Sequence, residues 1–318
     1  MSKARYSIVV PVFNEEEVIG ESYKRLKEVM DSTKEPYEII FINDGSRDST
    51  YEILNTISET NAQVKIIDFS RNFGHQVAIS AGMDYASGSA VVVIDADLQD
   101  PPEVILRMIE KWKEGFDVVY GKRLKRNGET IFKKITARLY YRILKSMTNV
   151  DIPTDVGDFR LIDRKVCEVM KSLTEKSRYV RGLISWVGFK QTSVEYEREE
   201  RFAGETKYPL VKMIGLAADG ITSFSYKPLK LASYLGFIVS FFSFLFLLYV
   251  AYEKLFTNKT VQGWASLIAV CVLMNGVMFI LLGIMGEYIG RIFEESKNRP
   301  LYIVKNELGF KNASSEDK

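Results

Sequence analysis

Short apolar runs recur at regular intervals through the first part of the chain. Five of them are rich in Val, Ile and aromatic residues and are separated by about 20 residues each: 6–13, 37–43, 64–68, 90–95 and 117–120. The intervening stretches have helical periodicity, and this alternation predicts βαβ units around a mainly parallel sheet. Because the runs contain few polar residues, we expect the strands to be buried on both faces.

Two much longer apolar segments lie near the C-terminus. Residues 231–252 and 260–286 contain no charged side chain, and each is longer than the roughly 20 residues with which a helix crosses a membrane. The pattern predicts transmembrane helices at about 229–252 and 262–287. A buried helical hairpin of a soluble domain is the alternative, but core helices this apolar are rarely paired at the end of a chain.

The formal net charge of +2 hides an uneven distribution of charged residues. Residues 1–120 contain 12 basic and 21 acidic side chains, a net charge of −9, whereas residues 121–228 contain 22 and 13, a net charge of +9. An acidic block followed by a basic block before the first apolar segment predicts a catalytic or binding half and a half that faces anionic lipid.

The basic block contains an amphipathic segment at residues 131–148. Its apolar side chains share one helical face, and its basic side chains, including Arg138, cluster on the other. Such a helix suits a membrane surface. A helix that packs on the sheet with a solvated basic face fits the pattern as well.

These patterns divide the chain into four parts. We expect a cytoplasmic α/β domain at 1–200, a juxtamembrane interface segment at 201–228, two transmembrane helices within 229–290 and a cytoplasmic tail at 291–318. The loop between the apolar segments carries fewer Lys and Arg than their outer flanks, so the positive-inside rule places the domain and both termini in the cytoplasm. The chain has two cysteines, too few for a disulfide framework, which is consistent with a reducing compartment.

The apolar segments also carry small residues at a helical spacing. Gly236 and Ser240 lie four residues apart in the first segment, as do Gly286 and Gly290 at the end of the second, which has Asn275 near its middle. Small-residue faces and buried amides favour association of membrane helices. We therefore expect a homo-oligomer.

The chain lacks the motifs of several common enzyme classes. It has no G-x-G-x-x-G and no complete Walker A motif, and His75 is its only histidine. These absences argue against a nicotinamide-dependent dehydrogenase, a P-loop NTPase and a metal hydrolase with histidine ligands.

What remains is Asp95-x-Asp97 at the end of a very apolar run. Its carboxylates, with the amide of Gln99, suit Mg²⁺ or Mn²⁺ that takes its other ligands from phosphates and water. Such a cation can neutralise charge on a nucleoside-diphosphate leaving group. An acidic turn that caps a helix beginning near Glu103 is the alternative.

Seven motifs occur in order along the chain: PVFNE (11–15), NDGS (43–46), SRNFG (70–74), IDADLQDPPE (94–103), GDFRLIDR (157–164), RGLISWVGF (181–189) and AGETKYPL (203–210). As a set they resemble those of the polyisoprenyl-phosphate glycosyltransferases, a group of family-2 glycosyltransferases related to dolichol-phosphate mannose synthase. The two apolar segments resemble the bacterial glucosyl and aminoarabinosyl branch. The resemblance implies an α/β fold of GT-A type, a mainly parallel sheet flanked by helices, followed by amphipathic interface helices and two transmembrane helices.

The resemblance also implies roles for individual residues. The residues that would bind the nucleotide are Pro11, Asn14, Glu15, Asp44, Ser70, Arg71 and Asp95. Those that would bind the metal are Asp95, Asp97 and Gln99. Those that would act at the reacting centre are Asp97, Asp158 and Arg160. Those that would bind phosphate, including the acceptor's, are Arg123, Arg138, Arg201 and Lys207.

The implied activity is inverting transfer of a sugar, glucose by analogy, from a UDP-linked donor to a polyprenyl phosphate at the bacterial plasma membrane, with Mg²⁺ or Mn²⁺ and no nucleic-acid partner. A phosphomonoester is largely ionised at neutral pH, so the lack of a catalytic histidine or triad is expected. A processive polysaccharide synthase is an alternative, although such enzymes carry a Gln-x-x-Arg-Trp motif and more spans. A non-catalytic membrane scaffold is another.

Overall fold

The computed structural model describes residues 4–124, 156–176, 178–199, 225–252, 256 and 263–310. The strands in these ranges are β1 Tyr6–Val12, β2 Tyr37–Asn43, β3 Val64–Phe69, β4 Ala90–Val93, β5 Val118–Arg123, β6 Val156–Asp163, β7 Gln191–Tyr196 and β8 Val304–Leu308. The helices are α1 Ile19–Ser32, α2 Thr50–Thr60, α3 His75–Tyr85, α4 Val104–Lys113, α5 Arg164–Ser172, α6 Val180–Trp186, α7 Lys227–Tyr252 and α8 Trp264–Ser296. The five apolar runs of the N-terminal part correspond to β1 to β5.

The strands form one sheet in the order β7-β5-β6-β4-β1-β2-β3-β8. The first four strands are parallel, whereas β6 and β8 run antiparallel to their neighbours. Every residue of β1, β2 and β4 is buried, because helices pack on both faces. Gly82 of α3 lies against Val9 and Ile42, and Leu26 of α1 and Ile105 of α4 join a core cluster with alternate residues of β1. The predicted α/β architecture is confirmed.

The carboxyl ends of β1 to β4 lie at one edge of the sheet, which is where ligands bind in sheets of this type. β6 begins at the same edge because it is antiparallel to β4, with Val93 opposite Arg160. Asp95, two residues beyond Val93, is therefore level with Asp158, two residues before Arg160. β5 and β7 also end at this edge, since β5 is antiparallel to β6 and parallel to β7.

The C-terminal segment differs from the tail expected at 291–318. β8 pairs antiparallel with β3, with Leu308 opposite Ile66 and Val304 opposite Phe69, and residues 299–310 belong to the same compact unit as the N-terminal strands. Without β8, β3 would be an edge strand with unpaired backbone groups. The sequence of β8 gives little strand signal because three of its five residues, Lys, Asn and Glu, are polar and exposed.

The two apolar helices form a separate unit. Both α7 and α8 are long and apolar enough to cross a membrane, and many of their large side chains are exposed, such as Phe237 at 73% and Phe279 at 71%. Exposed apolar surface of this extent is typical of a membrane interaction. α8 continues to Ser296, nine residues past the predicted end at 287.

Some of the small residues lie in the contact between α7 and α8. A Cβ on Gly236 would lie 3.5 Å from Leu281 of the other helix, and the amide of Asn275 donates to the backbone of its own helix, at the carbonyl of Cys271. Gly286 has open space around it. Self-association through that face stays a prediction.

Several predicted features lie outside the described residues. They are the amphipathic helix at 131–148 with Arg138, and most of the interface segment 201–228, with Arg201 and Lys207.

Candidate active site

A carboxylate in the loop after β2 accepts hydrogen bonds from backbone N–H groups in the loop after β3. Asp44 is buried, and its two oxygens accept hydrogen bonds from the N–H groups of Phe73 at 2.6 Å and Gly74 at 2.9 Å. Burial raises the pKa of Asp44, an effect that the two donors oppose. Gly45 has a φ of +66°, and a Cβ there would lie 2.5 Å from the carbonyl carbon of Arg71. The close approach of the two loops therefore requires glycine.

The loop after β1 is joined to the loop after β2. Asn14 has a φ of +53°, a conformation that asparagine tolerates. Its N–H donates to Ser46 Oγ at 3.0 Å, and its Oδ1 accepts from the N–H of Arg47 at 2.9 Å. The N–H of Glu15 donates to Thr50 Oγ1 at 2.9 Å. The predicted nucleotide-binding residues of these two loops therefore form one connected unit.

Ser70 and Arg71 follow β3 at the same edge. The N–H of Ser70 donates to the carbonyl of Ile303, just before β8, at 3.0 Å. The Arg71 guanidinium is stacked on the ring of Phe73, 4.0 Å from its centroid. With Pro11 in β1, the predicted nucleotide-binding residues all lie at or near the carboxyl edge.

The loop after β4 carries the two carboxylates predicted to bind metal. Asp97 is buried, and its Oδ1 accepts from the N–H of Gln99 at 3.1 Å. Leu98 between them has a φ of +58°, a conformation that costs a branched residue about 1–2 kcal/mol. Asp95 Oδ1 is shielded from solvent and accepts no hydrogen bond. Backbone strain and an unsatisfied buried oxygen are both typical of binding loops.

These carboxylates fit a divalent cation. Asp95 and Asp97 offer hard oxygen ligands, and Asp95 Oδ1 accepts no hydrogen bond, although His75 Nε2 lies 3.4 Å from it. Within the described ranges, no group of three or more His, Cys, Asp or Glu side chains is arranged to hold a metal. The residues therefore fit a divalent cation that takes further ligands from water or substrate, and Mg²⁺ or Mn²⁺ stays a prediction.

Asp158, near the start of β6, is held by donors from two helices. Arg181 Nε of α6 donates to its Oδ1 at 2.9 Å, and Gln76 Nε2 of α3 donates to its Oδ2 at 3.0 Å. His75 Nε2 lies 3.4 Å from Asp158 Oδ2 and 3.4 Å from Asp95 Oδ1. The imidazole of His75 thus lies between Asp158, in β6, and Asp95, which follows the neighbouring strand β4.

The neighbouring charges decide the protonation of this cluster. Burial would raise the pKa of Asp158, but Arg181 and His75 outweigh it and hold that pKa below its ordinary value. Burial raises the pKa of Asp95 to about 6, an effect that His75 opposes. Burial disfavours the charged form of His75, but the two carboxylates raise its pKa to about 9. Asp158 is therefore an anion at neutral pH, and it accepts hydrogen bonds without donating a proton.

Arg160 is buried in the same strand as Asp158. Its Nη2 donates to the carbonyl of Gly157 at 2.8 Å and its Nε to that of Asp158 at 3.3 Å. Burial lowers the pKa of Arg160 to about 10, so the group stays charged at neutral pH. Arg160 therefore stabilises the backbone that carries Asp158, and its predicted contact with the sugar stays a prediction.

A second ionic cluster supports the loop that is predicted to bind metal. Asp100, with a side chain only 1% exposed, pairs with Arg123 Nη2 at 3.2 Å and accepts from the hydroxyl of Tyr196 at 2.6 Å. Arg198 Nε lies 3.5 Å from the same carboxylate. Arg123 thus has a role in fixing this loop, and phosphate binding by Arg123 stays a prediction.

Sequence reasoning misses three residues that hold Asp158. His75 and Gln76 directly follow the SRNFG motif, and Arg181 begins RGLISWVGF, yet neither motif indicates a contact with β6. The available signal was weak: a single histidine beside a motif, and an arginine beginning another. The contacts depend on how α3 and α6 pack, which the local pattern does not specify.

Comparison with known proteins tests the resemblance seen in the motifs. The family model described as "Glycosyl transferase family 2" matches residues 7–170. The protein named "Uncharacterized glycosyltransferase YkcC" of Bacillus subtilis (strain 168) is 65% identical over 97% of this chain and 95% of its own. "Uncharacterized glycosyltransferase sll0501" of Synechocystis sp. (strain ATCC 27184 / PCC 6803 / Kazusa) is 47% identical over 95% of both chains. "Bactoprenol glucosyl transferase" of Shigella phage SfV is 45% identical over 95% of this chain and 99% of its own. The resemblance seen in the motifs is confirmed, and the chain belongs to glycosyl transferase family 2.

Proposed function

We propose that this protein is a membrane-bound inverting glycosyltransferase that moves one sugar, glucose, from a UDP-linked donor to a polyprenyl phosphate. Relatives named bactoprenol glucosyl transferase support the acceptor and the sugar, because their similarity extends over 95% of the chain and so includes the apolar helices. The acceptor is a membrane lipid, which agrees with the presence of two helices that can span a membrane.

Three carboxylates beside the nucleotide loops carry this proposal: Asp95, Asp97 and Asp158 lie at the carboxyl edge of the sheet. The loops after β1, β2 and β3 would hold uridine and ribose. Asp95 and Asp97, with Gln99, would hold Mg²⁺ or Mn²⁺ together with the donor diphosphate. When bound, the cation would neutralise charge on the leaving diphosphate.

The reaction needs no strong general base. The second pKa of a phosphomonoester is about 6, so the acceptor oxygen is largely ionised at neutral pH. This oxygen forms a bond to C1 of the sugar while the bond from C1 to the UDP oxygen breaks, and the electron pair of that bond leaves with UDP. A single displacement inverts the configuration at C1. Asp158, as an anion, would orient the sugar by accepting hydrogen bonds from its hydroxyl groups.

We further propose that the α/β domain and both termini lie on the cytoplasmic side of the bacterial plasma membrane. β8 follows α8 and pairs with β3, so the chain returns to the sheet after both apolar helices. The basic residues near the start of α7 and the end of α8, among them Lys227, Lys230 and Arg291, favour the same side. Arg138, Arg201 and Lys207 would bind the acceptor phosphate.

Purified protein tests the substrates directly. Polyprenyl phosphate is incubated with each of a panel of radiolabelled sugar nucleotides, with Mg²⁺ or Mn²⁺, and the label that enters organic solvent is measured. We expect UDP-glucose to give the largest transfer, and transfer to require the lipid phosphate. Label that stays in the aqueous phase with every donor would contradict the proposed acceptor.

A further inference from the structure

We propose that Gln76 is a positioning residue that fixes the orientation of the Asp158 carboxylate by joining it to the first turn of α6. The inference rests on the proposed function, in which Asp158 faces the transferred sugar. It concerns a residue that the sequence motifs leave without a role.

The amide of Gln76 makes two hydrogen bonds that determine its orientation. Its Nε2 donates to Asp158 Oδ2 at 3.0 Å, and its Oε1 accepts from the N–H of Val180 at 2.9 Å. A carboxylate accepts only and a backbone N–H donates only, so the amide cannot be reversed without losing both bonds. Val180 is the first residue of α6, and the residue that precedes this helix supplies no side-chain cap. Gln76 therefore supplies a partner for an N–H that the helix itself cannot satisfy.

The residue after Val180 completes a closed ring of contacts. Arg181 Nε donates to Asp158 Oδ1 at 2.9 Å, and its Nη1 donates to the carbonyl of Val156 at 3.1 Å. Arg181 Nη2 also donates to Asp158 Oδ2 at 3.5 Å, and His75 Nε2 lies 3.4 Å from the same oxygen, so Gln76 makes the shortest of the contacts to Oδ2 while Arg181 Nε holds Oδ1. Rotation of the carboxylate would break a bond on each side. This geometry fixes the carboxylate plane, as a site that positions a sugar requires.

Two substitutions separate positioning from helix capping. Gln76→Glu keeps an oxygen that can accept from Val180 but places a second carboxylate against Asp158. Gln76→Met keeps the side-chain length and removes both bonds. Gln191 provides a matched control, because its Nε2 donates to the carbonyl of Ile184 in α6 at 3.0 Å and has no bond to Asp158. Gln191→Met therefore removes a comparable side-chain hydrogen bond to the same helix.

Steady-state kinetics with separately varied donor and acceptor give the test. We expect both Gln76 variants to lower kcat by roughly 10- to 100-fold, the size of effect expected for a lost hydrogen bond to a charged group, with a KM for the sugar nucleotide within about threefold of the parental value. Gln191→Met should keep the parental kcat. Thermal unfolding of all three variants measures any loss of fold.

Two results would overturn the inference. One is a parental kcat in Gln76→Glu, which would show that capping of α6 is the only role of the residue. The other is an equal loss of kcat in Gln191→Met, which would assign the effect to α6 as a whole. If the parental protein transfers a sugar other than glucose, only the proposed donor is contradicted, and the same kcat ratios are measured with that sugar.

Discussion

Asn306 donates a hydrogen bond through its Nδ2 to Asp68 Oδ2 at 3.3 Å, although 238 residues and both apolar helices separate the two in sequence. The other oxygen of Asp68 accepts from Asn43 Nδ2 at 2.8 Å. One buried carboxylate thus joins β8 to β3 and β2, the strands whose loops carry the predicted nucleotide-binding residues. The segment that follows the two apolar helices, residues 304–308, is therefore part of the sheet.

This relationship predicts that the C-terminal strand β8 stabilises the α/β domain. A chain truncated after Asn298 loses the pairing of β8 with β3 and the stacking of Tyr302 on Phe69, whose ring centroids are 5.1 Å apart. We expect its unfolding temperature to fall by at least about 5 °C, since about 1 kcal/mol corresponds to roughly 2–4 °C in a domain of this size. A chain truncated after Phe310 keeps β8 and serves as the control. Equal unfolding temperatures of the two truncated chains, measured in the same detergent, would contradict a stabilising role of β8.

Gly45→Ala should damage the proposed nucleotide site more than the positive φ of Gly45 alone would predict. Gly45 and Gly115 both have positive φ, but a Cβ on Gly115 meets nothing within 4 Å, whereas one on Gly45 meets backbone at 2.5 Å. We expect Gly115→Ala to cost about 1 kcal/mol of folding free energy, and Gly45→Ala to cost more and to weaken UDP binding. Calorimetric titration with UDP measures the second effect. Parental UDP affinity in Gly45→Ala would show that the two loops separate without consequence for the site.

Asp97→Asn should abolish transfer without unfolding the protein. If Asp97 binds the cation as proposed, the substitution removes stabilisation of the leaving group, and loss of one such electrostatic element costs about 10²- to 10³-fold in rate. We expect membrane insertion and unfolding temperature to match the parental protein. Turnover near the parental rate with Mn²⁺ supplied would remove Asp97 from the metal site.

Asp100→Asn should destabilise the protein, unlike Asp97→Asn, although the two aspartates lie only three residues apart. Its carboxylate is 1% exposed and pairs with Arg123, which is 16% exposed. Removal of one partner from a buried pair leaves an uncompensated charge and costs on the order of 3 kcal/mol. Thermal unfolding should therefore separate the two aspartates: a large decrease for Asp100→Asn and little change for Asp97→Asn. The same stability in both variants would refute a supporting role of Asp100.

Arg138→Ala and Arg201→Ala should weaken use of the acceptor far more than binding of the nucleotide. A lipid phosphate that left the headgroup layer would expose its polyprenyl chain to water, at about 0.8 kcal/mol per CH₂, so the protein must bind it at the membrane surface. Kinetics with donor and acceptor varied separately distinguish the two effects. An unchanged dependence on acceptor in both variants would leave residues 131–148 as a helix with a solvated basic face.

The sequence predicted the central strands well because each combines a hydrophobic run with a polar end, as in the run that leads to Asp95. The resemblance assigned Asp44 and Asp95 to one site, and the fold brings them to the same side of the sheet because parallel strands place their carboxyl ends together. The sequence did not predict that β6 enters antiparallel and brings Asp158 level with Asp95. Nor did it predict β8, whose exposed polar residues pair only because β3 offers an open edge. These features depend on contacts between distant segments, which hydrophobic periodicity does not encode.

The product of the reaction tests the central claim most directly. Purified protein is incubated with UDP-glucose, Mg²⁺ and polyprenyl phosphate, and the extracted lipid is analysed by mass spectrometry while released UDP is measured. We predict a single product heavier than the acceptor by one hexose, formed in equal amount to UDP and absent with Asp97→Asn. A ladder of hexose additions would identify a processive synthase, and UDP release with unchanged lipid would show that polyprenyl phosphate is not the acceptor.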